Sequence, residues 1–210
     1  MDLLYEALYR GADGVARLRE ARVAVCGVGT LGGHVAEHLA RAGVGRMTLI
    51  DRDRVEARNL SAQPYGLDDL GTPKADALAH HLYRSVEADA EPVVATLSDA
   101  NADRLLVGHN LVVDLFDNAG SRRAVQAWCR RTGTPTLHAG LADGFGEVIW
   151  DDQYRVPADA GADACAAALV RTLGLLTATV AAEVALRFLT DGRREAYTVT
   201  LADFQIRPFS

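Results

Sequence analysis

The feature that most constrains this chain is a glycine-rich turn between a short apolar run and an amphipathic stretch. Residues 22–26 form the apolar run, whose composition is typical of a strand buried on both faces. The turn, Gly-Val-Gly-Thr-Leu-Gly, occupies 27–32, and a helix is predicted to follow it and to end at Gly43. A second apolar run at 47–50 ends at Asp51. Strand, turn, helix and strand together predict a βαβ unit, whose two strands are parallel.

Helices and strands continue to alternate after this unit. Helices are predicted over 74–86 and 121–131, and strands over 92–97, 111–114 and 134–140. Such alternation predicts an α/β fold, with a doubly wound, Rossmann-like and mostly parallel sheet.

The pattern changes near the C-terminus, where antiparallel additions to the sheet are predicted. Two further strands are expected at 146–150 and 196–201, and a long helix at about 166–189. A crossover loop at 151–164, rich in Asp, Gly, Pro and Ala, separates the first of these strands from the helix.

Length and composition restrict the domain count and the function classes. A chain of 210 residues with 49% apolar and 24% charged types predicts one globular domain with a core. We predict a single domain over 1–210, with an N-terminal helical segment at 1–21. The net charge of −6 argues against a nucleic-acid partner bound through bulk positive charge, so none is expected.

No membrane span is predicted, and a cytoplasmic location is expected. The longest apolar run, Leu173–Ala182, is shorter than the roughly 18–20 residues that span a bilayer. The acidic N-terminus lacks the basic and then apolar order of a signal peptide. Cys26, Cys129 and Cys165 form no CxxC pair, which argues against a disulfide framework and a structural zinc site.

The glycine turn is of the kind that binds phosphate. Gly27, Gly29 and Gly32 allow a tight turn and a close approach of backbone to phosphate, and Thr30 opens a helix whose N-terminus favours anions. Asp51 lies at the end of the next strand, the position at which an acidic residue commonly binds the ribose hydroxyls of a nucleotide. These features favour an adenine-nucleotide site but do not distinguish NAD from ATP.

Three later runs narrow the choice. Residues 51–63 read Asp-Arg-Asp-Arg-Val-Glu-Ala-Arg-Asn-Leu-Ser-Ala-Gln, 71–74 read Gly-Thr-Pro-Lys, and 114–118 read Asp-Leu-Phe-Asp-Asn. In this order they resemble the ubiquitin-activating-like adenylyltransferases, the ThiF/MoeB/HesA family. That family carries D-x-D-x-V-x-x-x-N-L-x-R-Q, then G-x-x-K, then D-x-x-D-N. The resemblance extends from about Arg22 to Leu141 and more loosely through the late helix.

The resemblance implies an ATP site with Mg²⁺. The implied nucleotide-binding residues are Gly27, Gly29, Thr30, Gly32, Asp51, Asp53, Asn59, Gln63, Lys74, Asp117 and Asn118. Lys74 and Asp117 are implied to be catalytic, and Asp117 to bind the metal, because adenylation needs positive charge where negative charge accumulates. The alternatives are a solvated Lys74 in the first turn of a helix and an Asp117 that caps the next helix.

The chain departs from the family pattern at its arginines. Ala62 stands where the family has a phosphate-directed arginine, which leaves the rate of adenylation in question. Arg52, Arg54 or Arg58 are candidate substitutes. A second family arginine comes from the N-terminal segment across a dimer, and here Arg10 is the nearby candidate. The two CxxC zinc pairs of many relatives are absent, which indicates a short form of the family.

Cys165 is the candidate covalent acceptor, because relatives that transfer the carrier to a thiol place it just before the late helix. A helix N-terminus would lower the pKa of its thiol, whereas Asp159 and Asp163 would raise it, and a packed inert cysteine is the alternative. Cys26 and Cys129 are expected to be core or surface residues.

His34 and His38 have the spacing of metal ligands but are expected to lie on a solvated helix face. His138, at the end of a strand near the expected site, is the one histidine that we single out for testing.

Three functions remain open. The first is ATP-dependent adenylation of the C-terminal carboxylate of a small ubiquitin-like or sulfur-carrier protein ending in Gly-Gly, by a homodimer, with a possible transfer to Cys165. The second is a non-catalytic nucleotide-binding member of the family that acts as an interaction module. The third is an NAD-dependent oxidoreductase, which explains the glycine turn and Asp51 but not Asn59, Lys74 or Asp117.

Overall fold

One eight-stranded sheet organises the protein in the computed structural model, which describes residues 1–142, 144–157 and 170–209. In chain order the strands are β1 (Arg22–Cys26), β2 (Arg46–Ile50), β3 (Asp89–Val93), β4 (Leu111–Asp114), β5 (Thr136–Ala142), β6 (Phe145–Trp150), β7 (Tyr197–Thr200) and β8 (Gln205–Pro208). They lie side by side in the order β3-β2-β1-β4-β5-β6-β7-β8. Strands β1 to β5 are parallel, and β6, β7 and β8 are each antiparallel to the strand before them. The predicted fold class is confirmed.

Helices cover both faces of this sheet. They are α1 (Leu4–Glu20), α2 (Thr30–Arg41), α3 (Lys74–Val86), α4 (Ala102–Leu106), α5 (Ala119–Thr132) and α6 (Arg171–Asp191), with short 3₁₀ turns at Ala57–Asn59 and Leu67–Asp69. The prediction of a helix over 74–86 is confirmed to the residue. Helix α1 bends at Gly11, whose φ of +75° lies in the left-handed region that favours glycine.

The sheet separates two apolar clusters, one on each face. The residues of β1 alternate between them: Val23 and Val25 pack with α1, α2, α3 and α6, whereas Ala24 and Cys26 pack with α4 and α5. All four side chains are fully buried, and burying one valine contributes about 1.5–3 kcal/mol. This two-sided burial explains why the strand has no polar position inside it.

Helix α6 is long and apolar enough to cross a membrane by length and composition alone. In the structure it is a core helix, because Ala178, Ala181 and Ala185 are buried in the cluster that also holds α2. The small residues let α6 approach its neighbours closely.

Two predictions at the sheet edges differ from the structure. The strand predicted at 92–97 lies at Asp89–Val93. Pro92 can lie within it because β3 is an edge strand, where a residue without an N–H group is tolerated. Strand β8, at the other edge, was not predicted, since all four of its residues are exposed and show no core-facing alternation.

Candidate functional site

The candidate site lies at the carboxyl ends of the parallel strands. Cys26 of β1 is in register with Ile50 of β2 and with Asp114 of β4, so the segments that follow these three strands emerge at one edge. The chain continues from β1 toward β2 and β3 on one side and toward β4 on the other. This is the topological switch point at which open α/β sheets bind ligands.

The glycine turn is held by backbone constraints. Gly27 has a φ of +88°, and a Cβ at Gly32 would lie 1.8 Å from the carbonyl oxygen of Gly27. Gly29 precedes α2 as its N-cap, and a Cβ there would meet only Nε2 of Gln63 at 3.8 Å. Glycine is therefore structurally required at 27 and 32, whereas at 29 it leaves open space in front of a helix N-terminus, as a bound phosphate needs.

Asp51 holds the glycine turn to the segment after β2. Its carboxylate accepts the N–H groups of Val28 and Asp53, both at 2.8 Å. The side chain is 7% exposed, and burial raises the pKa of Asp51 above its usual value despite these two hydrogen bonds. The structure thus shows Asp51 in a positioning role at this turn, and ribose binding stays a prediction.

Lys74 is buried rather than solvated, which excludes one alternative. Its residue is 7% exposed, and its Nζ lies 3.3 Å from Oδ2 of Asp53, a carboxylate that is half exposed. The hydroxyl of Tyr65 donates to the carbonyl of Val28 at 2.6 Å, and its oxygen lies 3.3 Å from the carbonyl oxygen of Lys74. The backbone of Lys74 therefore lies near the glycine turn, and its side chain reaches the carboxylate of Asp53.

The 59–65 segment closes one side of the turn. Oδ1 of Asn59 accepts the N–H of Glu56 at 2.9 Å, so part of the Asn59 amide is used to shape its own turn. Oε1 of Gln63 is buried and has no hydrogen-bond partner within the described residues, although its amide faces Gly29. An unpaired buried oxygen is uncommon and indicates a missing ligand or water.

Asp117 and Asn118 follow β4 at the same edge. Asn118 caps α5 by accepting the N–H of Ser121 at 2.8 Å, so the alternative in which Asp117 is the cap is wrong. Asp117 is exposed and makes no hydrogen bond or ion pair within the described residues. Its carboxylate is thereby available to a ligand, which is compatible with the predicted metal role.

The candidate replacements for the family arginine are engaged elsewhere. Ala62 is buried, and Arg54 donates to the carbonyl of Gly71 at 2.7 Å. Arg58 pairs with Glu56 at 2.6 Å, and Arg52 lies 3.6 Å from Asp53. Each of the three guanidinium groups thus already contacts a group within residues 53–71.

Arg10 is also committed within its own chain. It pairs with Glu6 at 2.6 Å and with Glu183 of α6 at 2.5 Å, and its side chain is 8% exposed. Arg10 thus joins α1 to α6, and the candidacy of Arg10 for a phosphate contact across a dimer finds no support in this geometry.

The two histidines of α2 have different environments. His34 is buried, so the expectation of a solvated face is wrong for it: Nε2 of His34 donates to the carbonyl of Ala62 at 3.2 Å. His38 is exposed as expected, with Nε2 3.3 Å from the hydroxyl of Thr179. No group of three potential metal-ligating side chains occurs among the described residues.

The cysteines that the structure describes are inert. Cys26 and Cys129 are both buried, and burial raises the pKa of the Cys26 thiol well above its usual value and that of Cys129 to about 12. Thiols with raised pKa values are poor nucleophiles at neutral pH. Cys165 lies outside the described residues, as do Asp159 and Asp163.

Sequence reasoning missed a buried polar network below Asp117. His138 lies between two carboxylates, with Nδ1 2.9 Å from Asp114 and Nε2 3.2 Å from Asp151. Its ring stacks on Tyr154 at a centroid distance of 3.8 Å. Arg122 donates to the Tyr154 hydroxyl and to the carbonyls of Phe116 and Ala139. In the sequence, the position of His138 at the end of a predicted strand was the only sign of this network, because the partners of His138 come from distant segments of the chain.

The charges in this network are mutually supporting. Burial alone lowers the pKa of His138, but the hydrogen bonds that His138 donates to Asp114 and Asp151 outweigh it and raise the pKa above its usual value. In turn, His138 and Arg130 outweigh the effect of burial on Asp151 and lower its pKa to about 2. Asp114 also accepts the N–H of Phe116 at 3.2 Å, so the network holds the loop that carries Asp117.

Comparison with known proteins identifies the family. The sequence model of the ThiF family matches residues 4–209. The chain belongs to the ThiF family. This match confirms the family that the sequence motifs indicated.

Several curated proteins are similar to this ThiF-family chain. The SAMP-activating enzyme E1 of Haloferax volcanii is 37% identical over 134 residues, which are 62% of this chain and 49% of that protein. The molybdopterin-synthase adenylyltransferase of Escherichia coli is 37% identical over 138 residues, 65% of this chain and 55% of that one. The tRNA threonylcarbamoyladenosine dehydratase of E. coli is 33% identical over 138 residues, which are 64% of this chain and 51% of that protein. The chain thus spans about half the length of these relatives.

Among solved structures, E. coli MccB with ATP matches with a TM-score of 0.80 at 20% identity, covering 96% of this chain and 68% of that one. At this identity the likeness shows the fold alone. It covers a larger share of this chain than the 62–65% matched by the curated relatives named above.

Proposed function

We propose that this ThiF-family chain adenylates the C-terminal carboxylate of a small ubiquitin-like or sulfur-carrier protein. The observation that carries the proposal is the buried Lys74 beside the glycine turn. A nicotinamide dinucleotide needs only the turn and an acidic strand end, whereas a nucleoside triphosphate needs further positive charge near its phosphates. Two further relatives, from Thermus thermophilus and Bacillus subtilis, are named as adenylyltransferases of sulfur carrier proteins, which supports the substrate class.

The residues present fit ATP and Mg²⁺. The amide Nε2 of Gln63, which can donate to a phosphate oxygen, and the space in front of Gly29 suit the phosphates, and the exposed Asp117 suits a hard cation. Mg²⁺ is usually held by one or two protein carboxylates together with phosphate oxygens, so one Asp is a sufficient protein contribution. When bound, the metal would offset negative charge on the phosphates.

The proposed reaction is a displacement at the α-phosphorus of ATP. A carboxylate oxygen of the carrier forms a bond to this phosphorus, and the bond to the bridging oxygen breaks, so that pyrophosphate leaves and an acyl adenylate remains. Lys74 is proposed to contact the phosphates and to stabilise the charge that accumulates on them. Asp51 keeps the glycine turn in place through Val28.

The proposal also names the kind of carrier, the oligomeric state and the cellular location. A tail ending in Gly-Gly is proposed for the carrier from the family resemblance. A homodimer in the cytoplasm is proposed from the family resemblance. No nucleic-acid partner is proposed, although one relative is named for a tRNA substrate.

The first test measures nucleotide binding by calorimetry. We expect ATP to bind with a Kd in the millimolar range or tighter in the presence of Mg²⁺, and NADH to bind no better. Replacing Asp117→Asn removes the metal-binding charge with little change in shape and should remove the dependence on Mg²⁺. Asp152→Asn is the matched control at an exposed aspartate that follows β6. Tight NADH binding without ATP binding would refute the proposal.

Pyrophosphate exchange then separates an enzyme from a binding module. The candidate substrates are small proteins ending in Gly-Gly, each compared with the same protein lacking its last glycine. Carrier-dependent exchange supports adenylation. ATP binding without exchange for any of them supports the non-catalytic alternative, and exchange driven by an unmodified tRNA instead of a protein would overturn the substrate class.

A transfer of the carrier to Cys165 is a separate proposal. The thiolate would attack the acyl adenylate, forming a thioester and releasing AMP. We expect Cys165→Ser to keep pyrophosphate exchange but to lose the carrier adduct that a thiol reductant can release. Cys129→Ser is the matched control, since this thiol is buried. An adduct that persists in Cys165→Ser would show that Cys165 is not the acceptor.

A further inference from the structure

The triphosphate of the proposed ligand needs more positive charge than the residues described above supply. Lys74 shares its charge with Asp53, and Ala62 offers none. Arg52, Arg54 and Arg58 are held by Asp53, Gly71 and Glu56 respectively. A compensating cation is therefore expected from another part of the chain.

The N-terminal end of α6 lies against the glycine turn. A Cβ at Gly174 would be 2.7 Å from Cγ2 of Thr30, so the first turn of α6 contacts the first residue of α2. Farther along both helices, the hydroxyl of Thr179 is 3.3 Å from His38. Because both pairs advance in the same direction, α6 lies beside α2 with its N-terminus at the same edge of the sheet.

Arg171 is the first residue of α6, one turn before Gly174. It is exposed and makes no hydrogen bond or ion pair within residues 1–142, 144–157 and 170–209. Its charge acts on His34: burial lowers the pKa of this histidine most, and the positive charge of Arg171 lowers it further. His34 in turn contacts the carbonyl of Ala62 at 3.2 Å. The start of α6 and residue 62 thus both contact the first turns of α2, through Thr30 and His34 respectively.

We propose that Arg171 supplies the phosphate-directed guanidinium that Ala62 lacks, from the start of α6 instead of the 59–63 segment. The proposal rests on the proposed ATP-binding function. Arg171 would donate hydrogen bonds to the β- and γ-phosphates, where a planar guanidinium can make two parallel contacts. The first turn of α6 contains no acidic residue that would compete for it.

The test compares ATP and AMP binding by calorimetry at fixed Mg²⁺ and ionic strength. A contact to the β- and γ-phosphates strengthens ATP binding but not AMP binding. We expect Arg171→Ala to raise the Kd of ATP about tenfold, equivalent to about 1.4 kcal/mol, and to leave the Kd of AMP within about twofold. Arg171→Lys keeps the charge and should recover part of the loss. Arg84→Ala is the matched control, since Arg84 is an exposed arginine in the last turn of α3, far from Lys74 at its start.

Each outcome separates the two proposals. If the wild-type chain binds no ATP, the proposed function fails. If it binds ATP and Arg171→Ala binds it equally well, only the role of Arg171 is overturned. An equal loss of ATP and AMP affinity would also overturn that role, because it would indicate a disturbed site. Circular dichroism and thermal unfolding of each variant identify a fold defect.

A rescue experiment adds an independent readout. The double variant Arg171→Ala with Ala62→Arg returns the guanidinium to its family position, and we expect it to regain most of the ATP affinity. Ala62→Arg alone should change the wild-type affinity by less than about threefold, since the phosphates already have their arginine. A large gain in the single variant together with no loss in Arg171→Ala would contradict the proposal.

Discussion

At the scale of single residues, Gly32 illustrates how local geometry limits substitution. Its Cβ would lie 1.8 Å from the carbonyl oxygen of Gly27, a backbone atom that cannot move without opening the turn. At Gly29 the nearest atom is the end of the Gln63 side chain, at 3.8 Å. We therefore expect the two glycines to be needed for different reasons, Gly32 for folding and Gly29 for the proposed binding of a phosphate.

We accordingly expect different results from two alanine variants. Gly32→Ala should lower the free energy of unfolding by about 1–3 kcal/mol, the usual cost of overpacking, and should also lose ATP binding. Gly29→Ala should keep the wild-type stability and weaken ATP binding only. Urea unfolding and calorimetry measure the two quantities. A stable Gly32→Ala variant that binds ATP normally would show that the turn can relax.

At the scale of elements, the His138 network connects β4, β5 and the segment after β6. Asp114 ends β4, His138 lies in β5, and Asp151 follows β6. The ring of Tyr154 stacks on His138, and the guanidinium of Arg122 donates to the hydroxyl of Tyr154. The antiparallel part of the sheet is thereby tied to the loop that carries Asp117.

The pKa directions in this network predict a pH-dependent stability. The raised pKa of His138 means that its contribution is complete below its unfolded value near 6.5 and is lost as pH rises through the folded value. The pKa of Asp151, lowered to about 2, means that its contribution is complete above about 3.8 and is lost as pH falls toward 2. The network should therefore stabilise the fold most between about pH 4 and 6.5.

The corresponding variant is His138→Gln, which leaves Asp114 buried without its cationic partner. We expect the free energy of unfolding at pH 5.5 to fall by about 3 kcal/mol, and the difference from wild type to shrink as pH rises above 7. His109→Gln is the matched control, since His109 is a histidine that contacts Thr48 and no carboxylate. Equal losses at pH 5.5 and pH 9 would contradict a charged His138.

At the scale of the whole molecule, the two faces of the sheet hold different parts of the candidate site. The face with α2, α3 and α6 carries the glycine turn, Lys74 and Arg171 at one edge. The face with α4 and α5 holds Asp117 in place through the loop after β4 and the buried network. The ion pairs of Arg10 with Glu6 and Glu183 attach α1 to this arrangement. The proposed phosphate-binding residues and the contacts that position the Asp117 loop thus lie on opposite sides of one sheet.

Much of the fold was predictable because its signals are local. The apolar runs of β1 and β4, the glycine turn and the helix at 74–86 are encoded by neighbouring residues, and the structure has each where it was predicted. The edges were less predictable, because β3 and β8 lack a core-facing pattern: β3 contains Pro92, and β8 is exposed throughout.

By itself the sequence determined the parallel α/β sheet, the family and the chain segments that meet at the candidate site. Only the tertiary structure decided the environment of single side chains. It buried His34, engaged Arg10 with α6, made Asn118 rather than Asp117 the cap, and placed His138 between two carboxylates. The physical reason is that a periodic apolar pattern depends on residues a few positions apart. The partner of a polar side chain, in contrast, comes from segments that only the folded sheet brings together.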